Sequence, residues 1–333
     1  MFRVRCLRLA EMRFWKMLKD GFCRNINYLR FSVTDNCNLN CRYCIPGEPV
    51  KRLPPAELLS DEEIVTLVLI FKELGIEKFR FTGGEPFARA GAMELFKKIS
   101  RITGNMHIIT NLALPSLNIE KINAINLKSI NVSCDSLVPE KYREVTRGGA
   151  LSVFLENFSR LKTSSKKINV VIIKDFNDNE VPDFIKFAVQ NRVTVRFIEK
   201  MSSDCDCLSM GDEAVNIDIM RKNLVSRGVL DRRPFREDNS VALYHFLKGS
   251  KTKVGFIMPV SRPFCGSCNK IRITSEGKLK LCLFRNDGLD LKKILRSNIP
   301  HEKIKYMISA EVLNKPFDGG VHRSIKQMVK VGG

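Results

Sequence analysis

The sequence predicts an α/β fold: a partial (βα)6 parallel barrel with a cysteine-bearing C-terminal region closing the barrel mouth. Three observations carry that expectation. From Leu29 to Glu199 short β-branched or aromatic runs alternate with helical periodicity, the pattern of repeated βα units. Only six such runs occur, short of the eight strands of a closed barrel. Beyond about residue 202 the alternation fades, yet the remainder carries its own group of cysteines. A chain of 333 residues exceeds the usual single core, which suits an N-terminal extension over 1–19, a barrel over 20–201 and a C-terminal region over 202–333.

The expected strands are Leu29–Thr34, Lys78–Thr82, His107–Asn111, Ile130–Cys134, Ile168–Ile173 and Val195–Glu199. Between the first two, Ser60-Asp61-Glu62-Glu63 reads as a capping box, and Ile64, Leu67, Val68, Phe71 and Leu74 then recur at helical spacing up to Gly75. Phe154, Leu155, Phe158 and Leu161 mark another helix, and Val181–Gln190 one more before the sixth strand. The longest apolar stretches, Val65–Phe71 and Ile168–Ile173, fall well below the roughly 18 residues that a membrane helix needs, so no membrane span is expected.

Composition narrows the function classes. With 44% hydrophobic and 28% charged residues the chain can build a core, which excludes wholesale disorder. The net charge of +20 favours anionic partners, but its spread along the chain leaves phosphate ligands, nucleic acid and a plain solvated basic surface all open. Eleven cysteines, an odd number, argue against a complete disulfide framework and toward metal ligation in a reducing cytoplasm. Arg3, Arg5 and Arg8 interrupt every apolar run near the N-terminus, so no secretory leader is expected there, and Met17 is an alternative start.

Parallel barrels place their chemistry where strands end. The first strand runs into Cys37-x3-Cys41-x2-Cys44 and the second into Gly83-Gly84-Glu85-Pro86. Three thiolates on one loop suit soft-metal or iron-sulfur ligation. Structural zinc wants four ligands and none of His107, His245, His301 or His322 lies near in sequence, although a zinc loop completed from elsewhere stays open. A cubane held by three cysteines keeps one iron free. The C-terminal region repeats the arrangement as Cys265-x2-Cys268-x13-Cys282, so two independent three-cysteine sets suggest two clusters, each with an open iron.

The first cysteine motif together with Gly83-Gly84-Glu85-Pro86 resembles the radical S-adenosylmethionine (SAM) superfamily. Adding Cys265-x2-Cys268-x13-Cys282 and the terminal Gly332-Gly333, the chain is similar from about Asp20 onward to the GTP 3',8-cyclases of molybdenum cofactor biosynthesis. Asp20-Gly21-Phe22-Cys23-Arg24, Tyr28 to Asp35, Ile130 to Ser133 and Arg196 to Glu199 belong to the same resemblance. The resemblance implies a lyase with two 4Fe-4S clusters and SAM as cofactors. Cys37, Cys41 and Cys44 would hold the SAM cluster; Tyr43, Gly84, Ser133 and Met201 would line SAM; Cys265, Cys268 and Cys282 would hold the substrate cluster. Arg30, Arg80, Lys167, Lys270 and Arg272 would bind GTP, with Arg30 and Arg272 also assigned a catalytic part, since guanidinium forks suit a triphosphate. Implied partners are GTP, a ferredoxin- or flavodoxin-type reductant and a downstream cyclic pyranopterin monophosphate synthase, with no nucleic acid, no membrane and dimerisation as a family expectation. The Gly332-Gly333 tail would reach the active site, a frayed end being the alternative.

The sequence also departs from the family pattern. Lys270 stands where many relatives have Arg. Ile109-Thr110-Asn111-Leu112 replaces the usual Thr-Thr-Asn-Gly, so no ligand contact is assigned to Ile109. Cys23 stands where Gly is usual. It and Cys6, Cys134, Cys205 and Cys207 have no family role and read as buried or incidental thiols. Two rival readings remain, a peptide-modifying radical enzyme with an auxiliary cluster and a basic zinc protein that binds nucleic acid.

Overall fold

The computed structural model describes residues 17–45, 52–163, 165–201, 214–237, 240–285 and 288–318. Cys6, Cys205, Cys207, residues 1–16 of the extension and the Gly332-Gly333 tail lie outside the described residues. The strands β1 (Tyr28–Ser32), β2 (Lys78–Thr82), β3 (Met106–Thr110), β4 (Ser129–Ser133), β5 (Lys166–Ile172) and β6 (Thr194–Glu199) pair in parallel in that order. Helices fill the crossovers: α1 (Asp61–Glu73), α2 (Ala92–Ile102), α3 (Ile119–Asn123), α4 (Pro139–Thr146), α5 (Leu151–Arg160) and α6 (Val181–Gln190). The expected capping box is formed, with the Ser60 hydroxyl accepting from the Glu63 N–H at 3.1 Å and the Glu63 carboxylate accepting from the Ser60 N–H at 2.8 Å. α1 then stops at Gly75, whose φ of 87° is left-handed and free of a Cβ penalty.

Apolar residues alternate with polar ones along these strands because one face lines a cavity and the other lies under the helices. Leu29, Phe31, Phe79, Phe81, Ile130, Val132, Ile168, Val170, Val195 and Phe197 are buried there, in one core with Ile64, Phe71, Phe96 and Phe154 of the helices. The Phe31 and Phe81 rings stack at 5.9 Å across the β1–β2 pair. The opposite face of the same strands carries Arg30, Arg80, Asn131, Lys167 and Arg196 and forms the barrel interior.

The C-terminal region continues the sheet at both of its edges. After α7 (Ile217–Ser226) come β7 (Leu243–Phe246), β8 (Lys253–Ile257), β9 (Lys270–Ile273), β10 (Lys278–Lys280) and β11 (Leu289–Asp290), followed by α8 (Leu291–Leu295) and α9 (His301–Val312). β8 adds in parallel to β6, and β9 in parallel to β1, so among the described residues the sheet runs β11-β10-β9-β1-β2-β3-β4-β5-β6-β8-β7 and stays open. Register fixes which end the second cysteine set occupies. β9 is parallel to β1 with Lys270 opposite Tyr28, so Cys265 and Cys268, just before β9, lie at the end where β1 begins. β10 runs back antiparallel and delivers Cys282 to that same end. The C-terminal region thus closes the barrel cavity from the end opposite the Cys37–Cys44 loop.

Candidate active site

The Cys37–Cys44 loop is fastened by its backbone. Asn40 and Arg42 donate to the carbonyls of Thr146 and Val145 at the end of α4, and the Asn38 amide donates to Ala113 O at 3.0 Å. Beneath it, Gly84 donates to Thr34 O and Glu85 to Asn36 O. A Cβ on Gly84 would stand 2.3 Å from Asn36 O and 2.8 Å from the Cys37 Cβ, so only glycine allows this approach. The Glu85 carboxylate, wholly buried, accepts from Thr110 Oγ1 (2.8 Å), Asn111 N (2.7 Å) and Phe87 N (3.1 Å), while burial pushes it up to about 7. Tyr43 donates its hydroxyl to Asp135 at 2.6 Å, and burial raises Asp135 to about 6.

All three thiols of this loop are free and half-buried. Burial pushes Cys37 up to about 11 and Cys44 up to about 12, with Glu85 adding to the first and Cys37 and Asp135 to the second. Three soft donors beside a glycine-lined cradle fit an iron-sulfur cluster. Among the described residues no three Cys, His, Asp or Glu side chains converge on one ion.

Toward the other end the interior turns cationic. Arg272, Arg30 and Arg80 stand side by side on β9, β1 and β2, followed in register by His107 and Ser129. Burial and then the charge of Arg272 press Arg30 well below its usual value. Burial also brings Lys78 down to about 8, with Arg80, Lys167, Lys270 and Arg196 adding to it. His107, down to about 2 by burial and then Arg80, is neutral between Ser129 Oγ and Asn105 Oδ1. Lys167 pairs with Glu237 at 2.5 Å. Such a density of buried cations demands an anion, and the Arg80 Nε is buried without a hydrogen-bond partner. Beyond this belt lie Cys265, Cys268 and Cys282, again free thiols. Burial would raise Cys268, but Lys315 and Lys270 outweigh it and hold the thiol below its usual value, which favours the ligating thiolate.

One cavity of about 400 Å³ joins these ends, and every residue expected at the site lines it: the six cysteines, Tyr43, Gly84, Ser133, Met201, Arg30, Arg80, Lys167, Lys270 and Arg272. Ile109 lines it as well, while Thr110 is turned to Glu85. Reading the sequence by motif missed Lys78, Arg196 and Asn131. The available signal was period two: Lys78-x-Arg80 and Lys270-x-Arg272 put charge on alternate positions of strands whose other face is core. Asn131 is buried, faces the cavity, and leaves both its amide nitrogen and its amide oxygen without partners. One thiol reading needs correction. Cys134 is buried and free, but Cys23 is exposed and disulfide-bonded, its φ of 60° holding a turn where its side chain faces outward.

Residues 31–188 match the Radical SAM superfamily and residues 193–320 match Molybdenum Cofactor Synthesis C. The GTP 3',8-cyclase of Alkaliphilus oremlandii is 41% identical over 308 residues, covering 90% of this chain and 93% of the relative. The chain belongs to the GTP 3',8-cyclase family. The family enzyme of Alkaliphilus metalliredigens is 39% identical over 95% of this chain and 100% of its own. Among solved structures, Streptococcus suis SuiB bound to precursor peptide SuiA aligns with a TM-score of 0.60 at 13% identity, over 96% of this chain and 78% of that one. At that identity the likeness speaks for the fold alone. Among the described residues no helix is long and apolar enough to cross a membrane.

Proposed function

We propose that this protein is a cytoplasmic lyase that converts GTP to 3',8-cyclo-GTP, using SAM and two 4Fe-4S clusters, at the opening of molybdenum cofactor biosynthesis. The observation that carries the reading is one cavity with a three-thiol set at each end and a row of arginines lining the wall between them. Residues 20–201 serve as the SAM-binding barrel and 202–333 as the region that carries the second cluster, with the substrate held by residues of both. Cys37, Cys41 and Cys44 hold the SAM cluster, and Tyr43, Gly84, Ser133 and Met201 line the cofactor. Cys265, Cys268 and Cys282 would hold the second cluster, which would supply a binding site for the guanine end of GTP.

When bound, a cluster held by Cys37, Cys41 and Cys44 together with SAM would supply the one-electron chemistry that joins ribose C3' to guanine C8. The chain's own part is positional. Arg30, Arg80 and Arg272, with Lys167 and Lys270, hold the triphosphate against the cavity wall, with the base toward Cys265–Cys282 and the ribose, which joins the two, within reach of the Cys37–Cys44 end. Lys167 exchanges Glu237 for phosphate as substrate enters. The continuous sheet and its buried lining keep water from the radical path. A ferredoxin- or flavodoxin-type protein would supply two electrons, one to open SAM and one that, with a proton, quenches the cyclised substrate radical, and a cyclic pyranopterin monophosphate synthase consumes the product.

The test is anaerobic reconstitution followed by dithionite, SAM and GTP, with products resolved by chromatography and mass spectrometry. 5'-Deoxyadenosine together with a cyclised isomer of GTP is expected. 5'-Deoxyadenosine without a GTP product would assign another substrate, and neither product from a fully loaded protein would end the catalytic reading.

A further inference from the structure

Asp20 to Arg24 and residues 313–317 take no part in the chemistry above, yet both converge on the second thiol set. Asp20 is fully buried, and its carboxylate accepts from Phe22 N (2.9 Å), Arg24 N (3.0 Å) and Arg24 Nε (2.6 Å). So held, the Arg24 guanidinium donates to Cys265 O at 2.6 Å and to the carbonyls of Pro316 and Phe317. Gly21 N donates to Leu313 O, and a Cβ there would meet that oxygen at 2.6 Å, so the two segments lie backbone against backbone. Lys315, only 3% exposed, points from the tethered segment into the cavity wall. Its ammonium donates to Lys270 O (2.8 Å) and to Leu281 O. Lys270 follows Cys268 by two residues and Leu281 precedes Cys282, so the two cations between them grip the backbone beside all three thiols.

A buried ammonium whose hydrogen-bond partners are neutral carbonyls is costly unless an anion stands nearby. A 4Fe-4S core bound by three thiolates is a net anion. We propose that Arg24 and Lys315 are positioning residues for the second cluster, a clasp that holds its three thiols in register while the Lys315 charge favours its reduced form. This rests on the two-cluster reading above.

The experiment compares the reconstituted full chain with Lys315→Met, Lys315→Arg, Arg24→Met and a triple Cys265, Cys268, Cys282→Ala variant. Iron and sulfide per chain are measured, along with an electron-paramagnetic-resonance redox titration and SAM cleavage, which reports on the first cluster. The parent is expected to hold about eight irons and the triple variant about four. Lys315→Met should hold about four, or keep eight with the second cluster reduced only at more negative potential; Lys315→Arg should restore both quantities. Arg24→Met should lose the second cluster's irons and keep SAM cleavage. Full loading at the parent's potential in Lys315→Met overturns the clasp, and so does loss of both clusters, which would mark a merely structural lysine. If the parent itself holds only about four irons, matching the triple variant, the two-cluster reading falls instead, a separately recognisable failure.

Discussion

The two ends of the cavity carry the same three thiols in opposite electrostatic settings. Around Cys37, Cys41 and Cys44 burial drives all three thiols up, with Glu85 and Asp135 adding to it and Arg52 opposing it only at Cys37. Around Cys268 the neighbours are Lys315, Lys270 and Arg24, which outweigh burial and bring the thiol down. On the proposed function the difference suits each ligand: SAM is a sulfonium cation compatible with acidic surroundings, whereas a nucleoside triphosphate is a polyanion that the Arg272–Arg30–Arg80 row would attract. Under that proposal the surrounding charge distinguishes two otherwise similar thiol sets.

Breaking one end at a time separates the roles most sharply. Cys41→Ala should abolish both 5'-deoxyadenosine and cyclised GTP, whereas Cys268→Ala should abolish only the cyclised product; equal loss of 5'-deoxyadenosine in the two would erase the distinction. Arg30→Ala or Arg272→Ala each removes charge-assisted hydrogen bonds worth about 1.5–3 kcal/mol, so GTP affinity should fall roughly tenfold to a hundredfold with SAM affinity unchanged, as titration calorimetry would report. Gly84→Ala places a methyl against Asn36 O and the Cys37 Cβ at a cost of about 1–3 kcal/mol. It should weaken SAM binding about tenfold and leave GTP binding intact.

The smallest expected effect is a pH dependence at the cationic end. Lys78, brought by burial to about 8, is partly neutral in the ligand-free protein above that pH, and a bound triphosphate draws its proton back. GTP binding should therefore take up protons near pH 8–9 and weaken as pH rises from about 8 toward the ordinary lysine value. Calorimetry in buffers of different ionisation heat would measure the uptake, which Lys78→Met should reduce. The unfolded chain binds more protons over the same interval, so the ligand-free protein should become more stable there as pH rises.

Local chemistry was legible in the sequence; long-range placement was not. Val181–Gln190 has the expected bounds, and the capping box at Ser60 starts α1 where its side chains require. α2 follows Gly91 at positive φ and α4 follows Val138, neither with a side-chain cap, and only Pro139 at the first position of α4 marked a start. β1 ends at Ser32 instead of Thr34, because the chain there turns to meet Gly84. The thiols and the Gly83-Gly84 turn could be read because their spacing is local. Which end the second set occupies could not, since it depends on β9 pairing with β1 across some 240 residues of chain. Leu112, in a position usually held by Gly, keeps a φ of 52°, so the backbone turn survives a residue that pays about 1 kcal/mol to adopt it.

The pairing of β9 with β1 and of β8 with β6 also bears on how the protein is made. As the chain leaves the ribosome, β1 through β6 are complete long before residues 253–290 appear, and for that interval both outer strands offer unpaired backbone to any neighbour. A prematurely terminated product would carry two sticky edges, and aggregation would be its natural fate. Quality control by chaperones or proteolysis would then sense the last third of the polypeptide, and a cell would seldom accumulate the six-stranded part without the strands that cover its edges.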